Sequence, residues 1–203
     1  LPISATVELG DSYTDAGATA SDDSGSATIV TSGTVDTNTV GSYQISYVAT
    51  DASGNVAQAF RTVNVVDTVA PEIALNGAAT VTVELADEVY TELGATATDN
   101  SGDVTVAITG TVDNETLGSY TITYTATDAS GNEATVSRTV NVVDTLAPVI
   151  TSSETFSVDE SITETAIGTV TAYDNSSTSV TYAVSGTELQ ITSGGVLSFV
   201  KIG

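Results

Sequence analysis

The chain has 203 residues, only 14% of them charged, and its 26 acids face three basic residues for a net charge of −23. It contains no His, Cys, Met or Trp. Without imidazole or thiol, Ser-His-Asp and Cys-His nucleophile systems are excluded, as are thiolate or imidazole zinc sites and disulfides. Three cations cannot neutralise a phosphate track, so nucleic acid and anionic lipid are not expected as partners. Carboxylate chemistry remains: hard, oxygen-seeking cations, or a two-carboxylate hydrolase. Apolar residues make up 40% of the chain and are mostly Val, Ile, Ala and Tyr, unlike a disordered acidic tail. No apolar run approaches the roughly 18–20 residues of a membrane helix, so membrane insertion is not expected. The chain opens Leu1-Pro2 without a basic segment, and any signal peptide is expected to be removed or to lie outside it.

In chain order, short strands are expected at Ile3–Leu9, Ala16–Ser21 and Ala27–Thr31, with another near Val35. Tyr43, Ile45, Tyr47 and Ala49 then alternate with Gln44, Ser46, Val48 and Thr50, which places the first set on one strand face. Asp51-Ala-Ser-Gly-Asn55 supplies a tight reversal, and Val56–Val66 returns as the next strand. Tyr43, just after Gly41, is placed like a tyrosine corner; an ordinary core tyrosine is the other reading. Helical periodicity is absent.

The pattern then repeats. Thr14–Pro71 and Thr91–Pro148 superimpose at an offset of 77 residues, with roughly 37 of 58 positions identical. A unit this long is a small domain rather than a solenoid repeat. About seven strands with turns every ~8–12 residues predict an antiparallel β-sandwich in each copy. The expected domains are residues 1–70, 71–147 and 148–203. The third keeps the strand pattern without the repeat's wording: Phe156–Glu160, Gly168–Asp174, Val180–Gly186 and Leu189–Phe199. That supplies about five strands, and the remaining two are expected from a continuing chain or from another chain. The linkers Asp67-Thr-Val-Ala-Pro71 and Asp144-Thr-Leu-Ala-Pro148 lack Gly/Ser tracts, which predicts modules stacked end to end with little slack.

In an immunoglobulin-type sandwich, alternate loops gather at opposite poles. That topology brings Asp99, Asn100 and Asp128 of the second copy toward Asp67 and Glu8 of the first, with Asp15 near the same turn. At the next junction, Glu84, Glu92 and Asp144 face Asp174 and Asn175, and Glu160 is a further candidate. Two carboxylates ~5 Å apart repel by roughly 3 kcal/mol at an effective dielectric of 20. Calcium, which takes 6–8 oxygens, suits such a set better than magnesium with its rigid octahedron. The competing role is turn formation, which Asp51–Asn55 and Asp128–Asn132 mainly suggest. For Arg61 and Arg138, a cross-strand pair with Asp36 or Asp113 is the simplest expectation.

The blocks Gly-Ala-Thr-Ala-x-Asp, Gly-x-Tyr-x-Ile-x-Tyr-x-Ala-x-Asp-x-Ser-Gly-Asn and Arg-x-Val-x-Val-x-Asp resemble the bacterial immunoglobulin-like repeats related to hyalin repeats, found in secreted and surface-anchored proteins. Residues 149–203 are similar to the first part of a cadherin-like domain: Phe156–Glu160 matches its first-strand glutamate motif and Ala172-Tyr-Asp174 the start of its Asp-x-Asp motif, with Ser176 where the second Asp would stand. The resemblance implies calcium at the inter-domain junctions and an extracellular location, secreted or on a bacterial surface. The expected function is a non-catalytic, rod-like tandem of immunoglobulin-like modules acting as a calcium-stiffened spacer, adhesin or assembly element. Its expected partners are calcium ions, neighbouring modules of a longer chain, other copies of itself, and surface glycans or proteins. The alternatives are an accessory, carbohydrate-binding region of a secreted hydrolase, or a filament subunit completed by strand donation. Catalysis by a carboxylate pair does not fit repeats that duplicate every acid without a unique cleft.

Overall fold

The computed structural model describes residues 3–23, 25, 27–152, 155–157, 166–176, 179–186 and 189–199. The protein is all-β. Among the described residues no helix is long and apolar enough to cross a membrane. The first repeat contributes β1 (Ile3–Glu8), β2 (Thr28–Ser32), β3 (Gly41–Thr50) and β4 (Val56–Val66), hydrogen-bonded in the order β1-β4-β3-β2. The second adds β5 (Glu72–Leu75), β6 (Thr80–Glu84), β7 (Ala95–Thr98), β8 (Val104–Thr109), β9 (Gly118–Asp128) and β10 (Glu133–Val143). Here β6-β10-β9-β8 form one sheet, and β5 pairs with β7 in a separate two-stranded sheet. The third stretch holds β11 (Val149–Ile150), β12 (Ala166–Thr169), β13 (Ala172–Tyr173), β14 (Leu189–Ile191) and β15 (Val196–Phe199), in the sheets β11-β13 and β12-β15-β14.

The period-two reading of β3 and β4 holds. Ile45 and Tyr47 are buried together with Val63 and Val65 of the paired strand, while Gln44 and Gln58 point out. Fully burying each such side chain contributes about 1.5–3 kcal/mol. Ile45, Tyr47 and Val63 form one core with Ala5, Val7, Tyr13, Ile29 and Val35 around it. Val83, Leu85, Val140 and Val142 form another, flanked by Tyr90 and Tyr120. Tyr43 and Tyr120 are tyrosine corners: each hydroxyl donates 2.8 Å to the carbonyl four residues upstream, that of Thr39 or Thr116.

Three expectations are corrected. The sheets are not wholly antiparallel, because β1 runs parallel to β4 and β6 parallel to β10. Ala16–Ser21 forms no strand, and neither does the stretch near Val35. A strand needs a pairing partner: β7, which corresponds to residues 18–21, is paired with β5, whereas residues 18–21 show no ladder among the described residues. Gly33 and Gly110 explain how β2 and β8 end. Both have positive φ (106° and 99°), and a Cβ there would lie 2.4 Å from the Gln44 carbonyl or 2.3 Å from that of Thr121.

The chain divides into two compact units. The first comprises Leu1–Asn76, Gly94–Ile108 and Tyr124–Val136; the second comprises Gly77–Leu93, Thr109–Thr123 and Ser137–Gly203. Compactness thus groups the exit of the first sequence repeat with the pole of the second that carries Asp99 and Asp128.

Candidate metal centre

In the first unit, β4 ends at Val66 and delivers Asp67 directly into a cluster. One oxygen from each of Asp67, Asp99 and Asp128 lies within 4.8 Å of the others. Asp67 and Asp128 are each only 7% exposed. The Asp67 Oδ1 atom accepts the Val69 amide at 3.3 Å, but its Oδ2 is buried and has no hydrogen-bond partner. A buried carboxylate oxygen left bare costs at least the ~1–3 kcal/mol of an unsatisfied polar atom. Three carboxylates at this spacing repel by about 3.5 kcal/mol per pair at an effective dielectric of 20.

Two turns hold the other acids in place. Asp128 begins the Asp-Ala-Ser-Gly-Asn reversal, where its Oδ1 accepts the amides of Ser130 (2.9 Å) and Asn132 (2.8 Å). Its Oδ2 takes one bond from Asn132 Nδ2 at 2.8 Å and so keeps a free lone pair. Burial pushes the Asp128 carboxyl up, but the bonds from Asn132, Ser130 and Gly131 together hold it below its ordinary value. The anionic form required for a metal ligand is therefore favoured. Asp99 caps its own turn by accepting the Ser101 amide at 2.8 Å and hydroxyl at 2.6 Å.

Neighbouring amides tie the turns to the linker. Asn132 Nδ2 also donates to the Asp67 carbonyl at 3.1 Å, and Asn100 Nδ2 donates to the Leu9 carbonyl at 3.2 Å. Glu8 lies outside the three-acid cluster. Its carboxylate takes the Thr68 amide at 2.7 Å and hydroxyl at 2.9 Å, clamping the residue after Asp67. Sequence reasoning missed the bridging role of Asn132 and the clamp at Thr68. The signal was the recurrence of Asp-Ala-Ser-Gly-Asn and Asp-Thr-x-Ala-Pro in both repeats.

The second unit rebuilds much of this arrangement. Glu84 accepts the Thr145 amide (2.8 Å) and hydroxyl (2.7 Å), and the Thr145 hydroxyl, more than its amide, holds the Glu84 carboxyl below its ordinary value. Asn175 Nδ2 donates to the Leu85 carbonyl at 2.8 Å, as Asn100 does to Leu9. Asp174 is held below its ordinary value first by the Ser176 hydroxyl and then by the Ser176 amide, with the Asp144 carboxyl as a lesser partner. Two buried oxygens, Asp144 Oδ1 and Asn175 Oδ1, have no hydrogen-bond partner. Glu160 lies outside the described residues.

The arginines depart from expectation, and so do Asp15 and Glu92. Arg61 pairs with Asp15, not Asp36, and Arg138 pairs with Glu92, not Asp113. Asp15 and Glu92 are therefore withdrawn from the junction acids into interior networks. The Tyr47 hydroxyl donates to Asp15 at 2.6 Å, Arg61 donates to the Gly17 carbonyl at 3.1 Å, and the guanidinium lies 5.5 Å from the Tyr47 ring centre. Arg138 is 1% exposed and donates to the Ala78 carbonyl at 3.0 Å and to Tyr90 at 3.3 Å. Asp36 and Asp113 instead cap their own turns, each bonding a threonine hydroxyl at 2.9 Å. An arginine interior to the sandwich needs an acid beside it, and alternation along β4 does place Arg61 on the same face as Val63.

These sandwiches with tyrosine corners and parallel first-to-last strand pairing define an immunoglobulin-like β protein. The model for the bacterial surface protein Ig-like domain matches residues 3–65 and 73–142, and the chain belongs to that family. No curated relative matches the chain. Among solved structures, the chain is similar to the lipoprotein BT2262 from Bacteroides thetaiotaomicron, at 30% identity over 51% of each chain with a TM-score of 0.34. It also matches protocadherin gammaB7 EC3-6 (19% identity, 78% of this chain and 49% of that one, TM-score 0.34). A third match is Drosophila N-cadherin EC1-4 (18% identity, 99% and 64%, TM-score 0.38). The chain spans about half the length of the first two.

Proposed function

We propose that this protein is a non-catalytic structural and adhesive module of a bacterial surface protein, in which calcium bound by Asp67, Asp99 and Asp128 locks the exit of one immunoglobulin-like repeat to the entry pole of the next. The single observation that carries the reading is the buried, partnerless Oδ2 of Asp67 among two further carboxylates. The donor set fits the ion. Ligands at 2.3–2.6 Å from calcium can stand up to ~5 Å apart, so oxygens within 4.8 Å of one another can share one ion. Carboxylates, backbone carbonyls and water complete its shell, and all-oxygen donors disfavour softer metals. Magnesium, which demands a strict octahedron and keeps its water, is the poorer match. Asp144, Asp174 and Asn175, beside the Glu84 clamp, form a second and less acidic site of the same kind.

The function that follows is mechanical. The linker Asp67–Pro71 carries force or position from one repeat to the next, and the ion removes its freedom to pivot. Calcium and adjoining modules are the proposed partners, and the proposed setting is extracellular, where millimolar calcium suits sites of 10⁻⁴–10⁻³ M affinity. Thermal unfolding in calcium, in magnesium and in chelator tests the reading. Calcium should raise the midpoint well above the chelated value and magnesium should do so weakly. Superimposable curves in calcium and chelator would remove the proposal.

A further inference from the structure

The second repeat copies most of the first, so positions where the outer faces of their sheets differ stand out. On the side of β2-β3-β4 turned away from the core, the first repeat carries Val30, Val48, Val56 and Phe60. The counterparts 77 residues on are Ala107, Thr125, Glu133 and Ser137. Alternation turns the first-repeat set outward, because Ile45, Tyr47, Arg61 and Val63 on the other side of the same strands are buried. Cross-strand register gathers them into one patch. Val30 lies opposite Val48, and Val48 lies opposite Gln58. Val56 and Phe60 flank Gln58 along β4 and are therefore diagonal neighbours of Val48, within reach of long and aromatic side chains. Val30 is 65% exposed, Val56 64% and Phe60 43%. That exposure belongs to the face itself: Ala107, Glu133 and Ser137 are exposed too, in a repeat whose sheet is preceded by β5 and a linker.

Charge decides what can cover this patch. In a chain of net charge −23, the strands β2, β3 and β4 hold a single charged residue, Arg61, and it is buried. A basic partner is drawn to the acids elsewhere on the molecule, not to this face. A partner that is itself strongly acidic is repelled by those acids and can approach closely only where they are missing. A second copy of this chain is such a partner, and its own uncharged face is the matching surface. We propose that the outer face of β2-β3-β4 is a self-association surface, on which a second copy packs the same face about a twofold axis. An isologous contact of this kind sets uncharged sheet on uncharged sheet and leaves the acids at its rim. Sheets stacked face to face stand ~10 Å apart, room for valine and phenylalanine side chains to interdigitate from both sides. Three strands of about five residues give a contact smaller than the ~1,200 Å² of a standard stable interface, so the association is weak and reversible.

The test is sedimentation equilibrium of the whole chain at concentrations up to about 1 mM, in chelator so that the metal site plays no part. The weight-average mass should rise with concentration. Added salt should strengthen the association, because between about 0.1 M and about 1 M the Debye length shrinks from ~10 Å to ~3 Å and the repulsion between two anionic copies fades. Val30→Ala combined with Phe60→Ser installs the residues that the second repeat carries at these positions, and should weaken association by about tenfold or more. Phe60→Glu should abolish it. Circular dichroism confirms folding, and the double variant, whose residues this fold already accepts in the second repeat, remains decisive if Phe60→Glu unfolds. A monomer at every concentration and both salt levels overturns the proposal. So does association that the double variant leaves unchanged, which would move the contact to the open edge of β2. Association that salt dissolves also overturns it, because the contact would then be ionic.

Discussion

Replacing Asp67 by Asn should have opposite effects with and without calcium. In chelator, the substitution removes one of three mutually repelling charges. The Coulomb repulsion relieved is roughly 3.5 kcal/mol or more for each of the two pairs broken, since the oxygens lie within 4.8 Å, offset by the cost of holding a neutral amide in the same buried place. A net stabilisation of about 1 kcal/mol is expected. In calcium, the wild-type chain gains RT ln(1 + [Ca]/Kd), or ~1.4–2.7 kcal/mol at ten to a hundredfold excess over Kd, and the variant forfeits most of it. For a domain of this size each kcal/mol moves the midpoint by roughly 4–8 °C. The two melting curves should therefore exchange order between chelator and calcium, with the variant higher in the first and lower in the second. If Asp67→Asn shifts the midpoint equally, and in the same direction, in both buffers, the acids do not share an ion.

Three further outcomes follow from other parts of the molecule. Arg138→Leu strands Glu92 beside Tyr90, and because Glu92 is only partly exposed the loss should be about 3 kcal/mol by chemical denaturation; Arg138→Leu unfolding at the wild-type denaturant midpoint would refute a structural role. Ala86 sits in the left-handed region at φ 54°, where the first repeat carries Gly10 at 83°, so Ala86→Gly should stabilise by about 0.5–1 kcal/mol, measured the same way. In the absence of calcium, stability should fall at both pH extremes. Asp36 and Asp113 are held below 3.8, first by the amides of Asn38 and Glu115, and Asp15 first by the Tyr47 hydroxyl. Their contribution is full above pH ~4 and is lost as the pH drops through their lowered values. Tyr47 is pushed up to about 12 by burial and by its bond to Asp15, so its contribution is full below pH 10 and disappears between 10 and about 12.

Much of this was legible in the residues. Alternation exposed β3, β4, β9 and β10, and the repeat offset combined with sandwich topology brought Asp67, Asp99 and Asp128 together. What escaped has a common cause: it depends on partners distant in sequence. The parallel joining of β1 to β4 links residues nearly sixty positions apart, and no hairpin signal marks it. Ala16–Ser21 carries strand composition, but propensity cannot supply the missing neighbour. The acid facing Arg61 was misassigned because a cross-strand pair with Asp36 was the simplest expectation, whereas Arg61 pairs with Asp15, whose carboxylate also accepts the Gly17 amide. Glu8 carried the expected acidity, yet the Thr68 hydroxyl turned it into a clamp on the linker.

Isothermal titration of calcium into the metal-free protein probes the junctions most directly. The wild-type chain should bind two ions, with affinities in the range of ~10⁻⁴–10⁻³ M. Asp67→Asn should abolish or weaken one of them by about tenfold or more and leave the other intact, while Asp144→Asn should do the reverse. No heat of binding, or uptake that both substitutions leave unchanged, would contradict the account.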